Sequence, residues 1–308
     1  MEIQRVTGWH EWRARGVGAS EVAGVLGISP WASPYSVWQA KVGGGDSGTS
    51  GNVEAMRWGQ LLEQAILTEC ERRLGFSVYG QQTWCTHREH EWALCTVDAF
   101  YSDGTDHDPH GVIEVKTTSD PRWYDVPDHY AVQVQWQLEV TDMQHAWLAC
   151  LHNGRRLSLW SVDRDRELGA DLLAVVGDFW ARHVLGGEPP PVDGTTATTA
   201  AIARRFATTE PELVADLSAL APQIDRLREL RELGKAVDSE RVEIENAVKE
   251  ALGPAEAGDV DGQRAVTWKT ATSRRVDLDR LRDEHPDIAA ECSTETTTRR
   301  FLLKASKP

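Results

Sequence analysis

Apolar positions along the chain keep step first with a helix, then with strands, then with a helix again. Residues 18–27, GASEVAGVLG, read as a short helix with Ser20 at the N-cap and Gly27 at the stop. SPWASP (29–34) is a loop, a short helical piece runs from Tyr35 to Val42, and GGGDSGTSGN (43–52) is a Gly/Ser-rich stretch expected to be mobile. From Glu54 to Leu74 the spacing is helical, and Gly75 stands where a left-handed C-cap belongs. Strand patterns follow near 77–85, 92–101 and 111–118. Pro127 and Asp128 open a helix to about Asp142, and HAWLACL (145–151) and RLSLWSV (156–162) flank the hairpin signal Asn153-Gly154. A helix covers about 165–186. Beyond it, Leu213, Leu217, Leu220, Ile224 and Leu227 alternate steps of four and three, and Val237, Ile244, Val248 and Ala251 resume the pattern. Short strands are expected near QRAVTWKT (263–270) and TRRFLLKA (298–305).

These elements predict an α/β fold, a mixed sheet flanked by helices with the site at one sheet edge. A first domain would span 1–188, a linker 189–201, and a mainly helical C-terminal region 202–308.

The chemistry concentrates in TVDAF (96–100) and VIEVKTTS (112–119). Side chains two apart on a strand share a face, so Glu114 and Lys116 project together while Ile113 and Val115 point the other way. Asp98 lies on the preceding strand, and the polar loop DGTDHDPH (103–110) would let the two strands pair. Carboxylates that close repel unless a cation separates them, and hard oxygen ligands suit Mg²⁺ or Mn²⁺. Lys116 could position and deprotonate a water, or balance charge on a pentavalent phosphorane. Taken singly, a surface ion pair explains Glu114 and Lys116, a solvated helix residue explains Glu63, and an exposed polar face explains Gln133 and Gln137. It is their joint presence that points to a site.

Composition narrows the reading. The 308 residues carry a net charge of -15, spread as -11 over residues 1–190 and -4 over 191–308. That excludes coating DNA by bulk positive charge but allows a local groove around a carboxylate site. No apolar run is long enough for a membrane helix, and MEIQRVTGWHEWRARG has no apolar core of the secretory kind. The five cysteines are scattered without CxxC spacing, so a cytoplasmic protein with reduced thiols is expected. His87 and His90 have ligand-like spacing but no cysteine partner, Asp106, His107, Asp108 and His110 read as a solvated turn, and Trp31 could stack on a base.

The order RxxxxxAS (Arg13 to Ser20), WGxxxE (Trp58 to Glu63), VD (Val97, Asp98), ExK (Glu114 to Lys116) and YxxQxQ (Tyr130 to Gln135) resembles the YqaJ-type viral recombinases. Lambda exonuclease is their best-known relative in the PD-(D/E)xK nuclease superfamily. The resemblance covers about residues 10–163. It implies a Mg²⁺-dependent exonuclease that hydrolyses linear double-stranded DNA from 5′ ends in phage-type recombination, with Mn²⁺ able to substitute. Glu63, Asp98, Glu114 and the Val115 carbonyl would hold the metal. Lys116 would be the catalytic lysine, with Gln133 beside the site. Arg13 and Ser20 match positions that grip a terminal 5′-phosphate, although Gly18 stands where the family member compared has a hydroxyl residue. The implied partners are DNA ends, a single-strand annealing protein and further copies of the chain. Two rivals remain at this point: a RecB-like repair nuclease, and a non-catalytic DNA-end or partner-binding module.

Overall fold

Strand periodicity between residues 77 and 118 resolves into two sheets; the chain leaves the larger for the smaller at residues 80–82 and returns at a single residue, Asp98. A computed structural model of the chain describes residues 8–43, 53–102, 104, 109–295 and 297–304, without the Val53 side chain. The expected mobile stretch lies outside the described residues apart from Gly43, as does most of the 103–110 loop. Two units can be distinguished, Met1–Phe206 and Ala207–Pro308.

The first unit opens with α1 (Trp9–Ala14), β1 (Val17–Gly18), α2 (Ala19–Val25), α3 (Pro34–Gly43) and α4 (Val53–Leu74). Five strands follow: β2 (Ser77–Tyr79), β3 (Thr83–Thr86), β4 (Ala93–Val97), β5 (Ala99–Ser102) and β6 (Gly111–Thr118). After them come α5 (Asp128–Thr141), β7 (His145–His152), β8 (Arg156–Asp163), α6 (Arg166–Phe179), which continues as a π-helical turn (Trp180–Leu185), and α7 (Thr196–Arg205). Five strands pair in the order β2-β5-β6-β7-β8, with β6 and β7 parallel and the other neighbours antiparallel. A smaller sheet has the order β1-β4-β3. Asn153 and Gly154 both have positive φ between β7 and β8, as an Asn-Gly hairpin requires.

Each face of the five-stranded sheet is covered by one helix. Ile113, Ala99, Tyr101 and Ala149 meet Ile66, Leu67 and Cys70 of α4. On the opposite face, Val112, Ala146 and Leu148 share a core with Val134, Trp136 and Leu138 of α5. The outer side of α5 is covered in turn by α2 and α6, so this helix is buried nearly all round. Any polar residue on α5 must then find its partners inside the protein.

Four expectations are corrected. The carboxylate–lysine strand is β6, the middle strand of the five, so the site is not at a sheet edge. Ser20 is not an N-cap. That place belongs to Gly18, whose N–H is taken by the Glu21 carboxylate at 2.9 Å. The expected linker 189–201 is partly α7, because Ala201 and Thr198 are buried against α3, with a Ser33–Thr198 hydroxyl bond of 2.7 Å. Finally, residues 298–304 form no strand.

The second unit is built on α8 (Ala221–Leu252), a hairpin of β9 (Ala257–Val260) and β10 (Gln263–Thr267), and the short helices α9 (Leu278–Glu284) and α10 (Pro286–Glu291). Ion pairs at helical spacing, such as Lys235–Glu232 and Arg241–Glu245, line α8, while Leu230, Leu233, Val237 and Ile244 are exposed. Among the described residues no helix is long and apolar enough to cross a membrane.

The place of α7 generates a prediction about where the first unit ends. Cutting after Phe206 keeps the Arg205–Tyr35 hydrogen bond (2.9 Å) and the buried Ala201, whereas cutting after Gly194 removes both. The longer fragment should melt several degrees above the shorter one by circular dichroism. Equal melting temperatures would place the boundary before α7.

Candidate active site

The parallel pairing of β6 with β7 and the antiparallel pairing of β6 with β5 fix the central strand on both sides. Its pleat then sends Glu114 toward α5, opposite in sense to Ile113 on the α4 face. Glu114 is buried, and α5 supplies its partners. Gln133 Nε2 donates to one carboxylate oxygen and Gln137 Nε2 to the other, each at 2.6 Å. The i, i+4 spacing of these glutamines puts both amides on one face of α5. Gln137 also donates to the Thr96 carbonyl at 3.1 Å, and its own buried carbonyl oxygen has no partner. Lys116, two residues further along β6, donates to Glu114 and lies 5.0 Å from the centre of the Tyr130 ring.

Asp98 occupies the bend between the two sheets. Its Oδ2 accepts the Val115 N–H at 2.7 Å, which locks the bend onto the central strand. Its Oδ1 accepts from Gln82 Nε2 at 3.2 Å, and the same amide donates to Glu63 Oε1 at 2.8 Å. Gln82 is thus the link between α4 and the sheet corner. It sits at φ +51 in the turn between β2 and β3, and its main-chain N–H donates to the Asp98 carbonyl at 3.1 Å. The sequence carried no signal for this residue, since a polar side chain in a turn looks solvated.

Three carboxylates share one lysine here, with Glu114 buried and Glu63 half-buried. Burial, then the negative charge of Glu114, push the Asp98 carboxyl well above the usual carboxylate range, against the pull of Lys116 and the Val115 N–H; Glu63 adds to the upward push. Burial would pull the Lys116 amine down, but Glu114 and Asp98 reverse this and hold it above its ordinary value. Burial also raises the Tyr130 phenol.

Among the described residues, no three His, Cys, Asp or Glu side chains already surround one point in the manner of a metal cage. The donor set nevertheless fits a hard divalent cation. Glu63, Asp98 and Glu114 offer oxygen only, Lys116 offsets one of their three charges, and the bridge between Glu63 and Asp98 is a neutral amide. The Val115 main chain reaches the group through its N–H to Asp98.

Arg13 and Ser20 also meet. Arg13 Nη2 lies 3.4 Å from Ser20 Oγ and 3.4 Å from Glu21, with its guanidinium 4.9 Å from the centre of the Trp9 ring. The buried Glu21 is held further by Lys41 at 2.8 Å. Trp9 and Arg13 lie on α1, Ser20 and Glu21 on α2 and Lys41 on α3, and α2 packs on the helix that carries Gln133 and Gln137. His87 is a turn residue whose Nδ1 accepts the N–H groups of Glu89 and His90 at 3.1 and 3.2 Å.

The YqaJ-like viral recombinase domain model matches residues 8–144, a stretch that includes every residue described above at the site. Over 305 residues the chain is 32% identical to the uncharacterized protein YqaJ of Bacillus subtilis (strain 168), covering 96% of this chain and 93% of that one. Solved structures with partial likeness include an alkaline exonuclease from Laribacter hongkongensis, 20% identical at a TM-score of 0.44 over 56% of this chain and 91% of that one. A phage-related exonuclease from Haemophilus somnus 129PT is 13% identical at a TM-score of 0.42, over 59% of this chain and all of that one.

The raised Asp98 value makes a prediction about stability. A carboxyl whose folded value lies above its unfolded one stabilises at low pH, and that contribution is lost as pH rises through the folded value. Asp98→Asn cannot ionise, so in chelator at pH 8 it should melt above the parent, by about 2–4 °C for each kcal/mol gained. The gain should shrink as pH falls toward 5. A variant that melts below the parent at pH 8 would contradict the charge excess.

Proposed function

The chain belongs to the YqaJ-like viral recombinase family, and from that membership we propose that it is a divalent-metal-dependent exonuclease acting on linear double-stranded DNA. The observation that carries this reading is the linked set of Glu63, Asp98, Glu114 and Lys116, three oxygen-donor carboxylates and one amine gathered at a sheet corner. Glu63, Asp98 and Glu114 would hold Mg²⁺, with Mn²⁺ as a substitute and the Val115 carbonyl as a further ligand implied by the family pattern. When bound, the cation supplies Lewis-acid polarisation of the phosphoryl group.

The chain's own residues do the rest. Gln133 and Gln137 grip both oxygens of Glu114 and fix its rotamer, so that the carboxylate does not turn toward Lys116 alone. Lys116 brings a fixed positive charge to the place where the pentavalent phosphorane gathers negative charge. Arg13 and Ser20 are the proposed seat for a terminal 5′-phosphate, which carries more charge than an internal diester. That seat would make digestion run 5′ to 3′ and leave single-stranded 3′ tails, the substrate that an annealing protein needs. A nuclease assay with and without Mg²⁺ is the primary test.

Hydrolysis should vanish in chelator, and Lys116→Ala should lose at least about a hundred-fold in kcat, on the scale of one removed charge-stabilising donor. A Lys116→Ala protein that degrades DNA at the parental rate would sink the assignment.

Linear duplex with 5′-phosphate should be digested about ten- to a hundred-fold faster than the same duplex with 5′-hydroxyl, the value of one charged hydrogen bond. Arg13→Ala should remove most of that difference while sparing the slower rate on hydroxyl ends. Equal parental rates on both ends would dismiss the phosphate seat and leave the carboxylate site untouched.

A further inference from the structure

One ring away from Lys116, across Tyr130, stands an aromatic side chain whose exposure the fold does not explain. Trp31 is 53% exposed, yet its loop is firmly held. Gly27 turns the chain at φ +72, the Ile28 and Ser29 N–H groups donate to the Ala23 carbonyl at 3.0 and 3.1 Å, and Ser29 Oγ accepts the N–H groups of Trp31 and Ala32 at 3.2 Å. On the far side, Ser33 is buried and bonded to Thr198. A rigid loop that leaves half an indole in water forfeits the burial that usually retains a tryptophan.

The position of the ring supplies a use. Trp31 lies edge-on to His129, with centroids 5.1 Å apart at 87°, and tilted against Tyr130 at 6.1 Å. Tyr130 is the ring whose centre lies 5.0 Å from the Lys116 amine. One aromatic ring therefore separates the exposed indole from the lysine of the carboxylate group. Trp123 supports Tyr130 from another side at 5.2 Å. Burial, and next the charge of Lys116, keep His129 below its ordinary value, so this flank adds no extra cation near neutrality. What Trp31 offers is an apolar π-face, and the sequence-tolerant partner for such a face on a DNA substrate is an unstacked base.

Resting on the nuclease reading above, we infer that Trp31, braced by His129 and Tyr130, is a base-stacking subsite that holds an unpaired nucleotide next to the scissile phosphate. Stacking would keep a frayed end from reannealing and would work on any base. Trp31 is a positioning residue, since it acts on the nucleotide beside the reaction and not on the phosphorus.

The test is binding in chelator, read by fluorescence anisotropy, with duplexes whose terminal nucleotides either carry bases or are abasic. The parent should bind the abasic ends roughly five- to a hundred-fold more weakly. Trp31→Ala should bind normal ends about as weakly as the parent binds abasic ones, and should lose its sensitivity to the bases. Trp31→Phe should keep most of both. Trp31→Leu preserves apolar bulk without a π-face and should behave like the alanine variant, which separates stacking from loop packing. Undiminished base sensitivity in the alanine and leucine variants overturns the subsite. If the parent cleaves DNA in Mg²⁺ while that result is found, the nuclease reading survives; a parent that neither binds nor cleaves DNA overturns both.

Discussion

Three carboxylates meet one lysine at the corner between two sheets, with Glu114 buried, and much of the surrounding architecture supplies donors to them. Such an arrangement is costly in a folded protein, because buried charge must be paired or neutralised. The fold meets that cost with donors. Two glutamine amides serve Glu114, a main-chain N–H serves one oxygen of Asp98, and a single glutamine amide is shared between Asp98 and Glu63. None of these donors carries charge. The upward push on the Asp98 carboxyl comes first from burial and then from that imbalance, and a divalent cation is the simplest species that would offset the imbalance.

The path of the chain explains how residues from opposite sides of the sheet come together. Asp98 stands where the chain leaves the small sheet for the large one, between β4 and β5, so its side chain is set by two sheets at once. Glu63 arrives from α4 on one face, and the glutamines that hold Glu114 arrive from α5 on the other. Because α2 and α6 close off the outer side of α5, its polar side chains have partners inside the protein, and Gln133, Gln135 and Gln137 are all buried. Polar groups so placed are rigid, which suits a site that must hold ligands at fixed spacing.

Much of this was legible in the sequence, for identifiable reasons. Glu114 and Lys116 could be paired because a strand has period two, and α4 and the β7–β8 hairpin were visible through a glycine stop and an Asn-Gly turn. The five-motif resemblance brought Glu63, Asp98 and Gln133 into the same set. What escaped was whatever depends on tertiary contact. Gln82 gave no hint of bridging two carboxylates, and the buried glutamine face of α5 was equally consistent with an exposed one. The central position of β6 was missed because strand order cannot be read from strand pattern. Ser20 was misplaced as a cap because the helix already starts at Ala19, with Gly18 at the N-cap and its N–H taken by the Glu21 carboxylate. The Thr-rich stretch of α7 looked like linker, and only its packing on α3 makes it part of the first unit.

The charge imbalance can be examined without any reaction. Titration of Mn²⁺ into the intact, DNA-free chain, followed by electron paramagnetic resonance, compares the parent with Glu114→Gln, which keeps shape and removes one charge. The parent should take up Mn²⁺, and the variant should bind it more weakly by more than the roughly 10–100-fold that loss of an outer-shell partner costs. Equal uptake by parent and variant, or none by the parent, would contradict the assignment of these carboxylates to a metal.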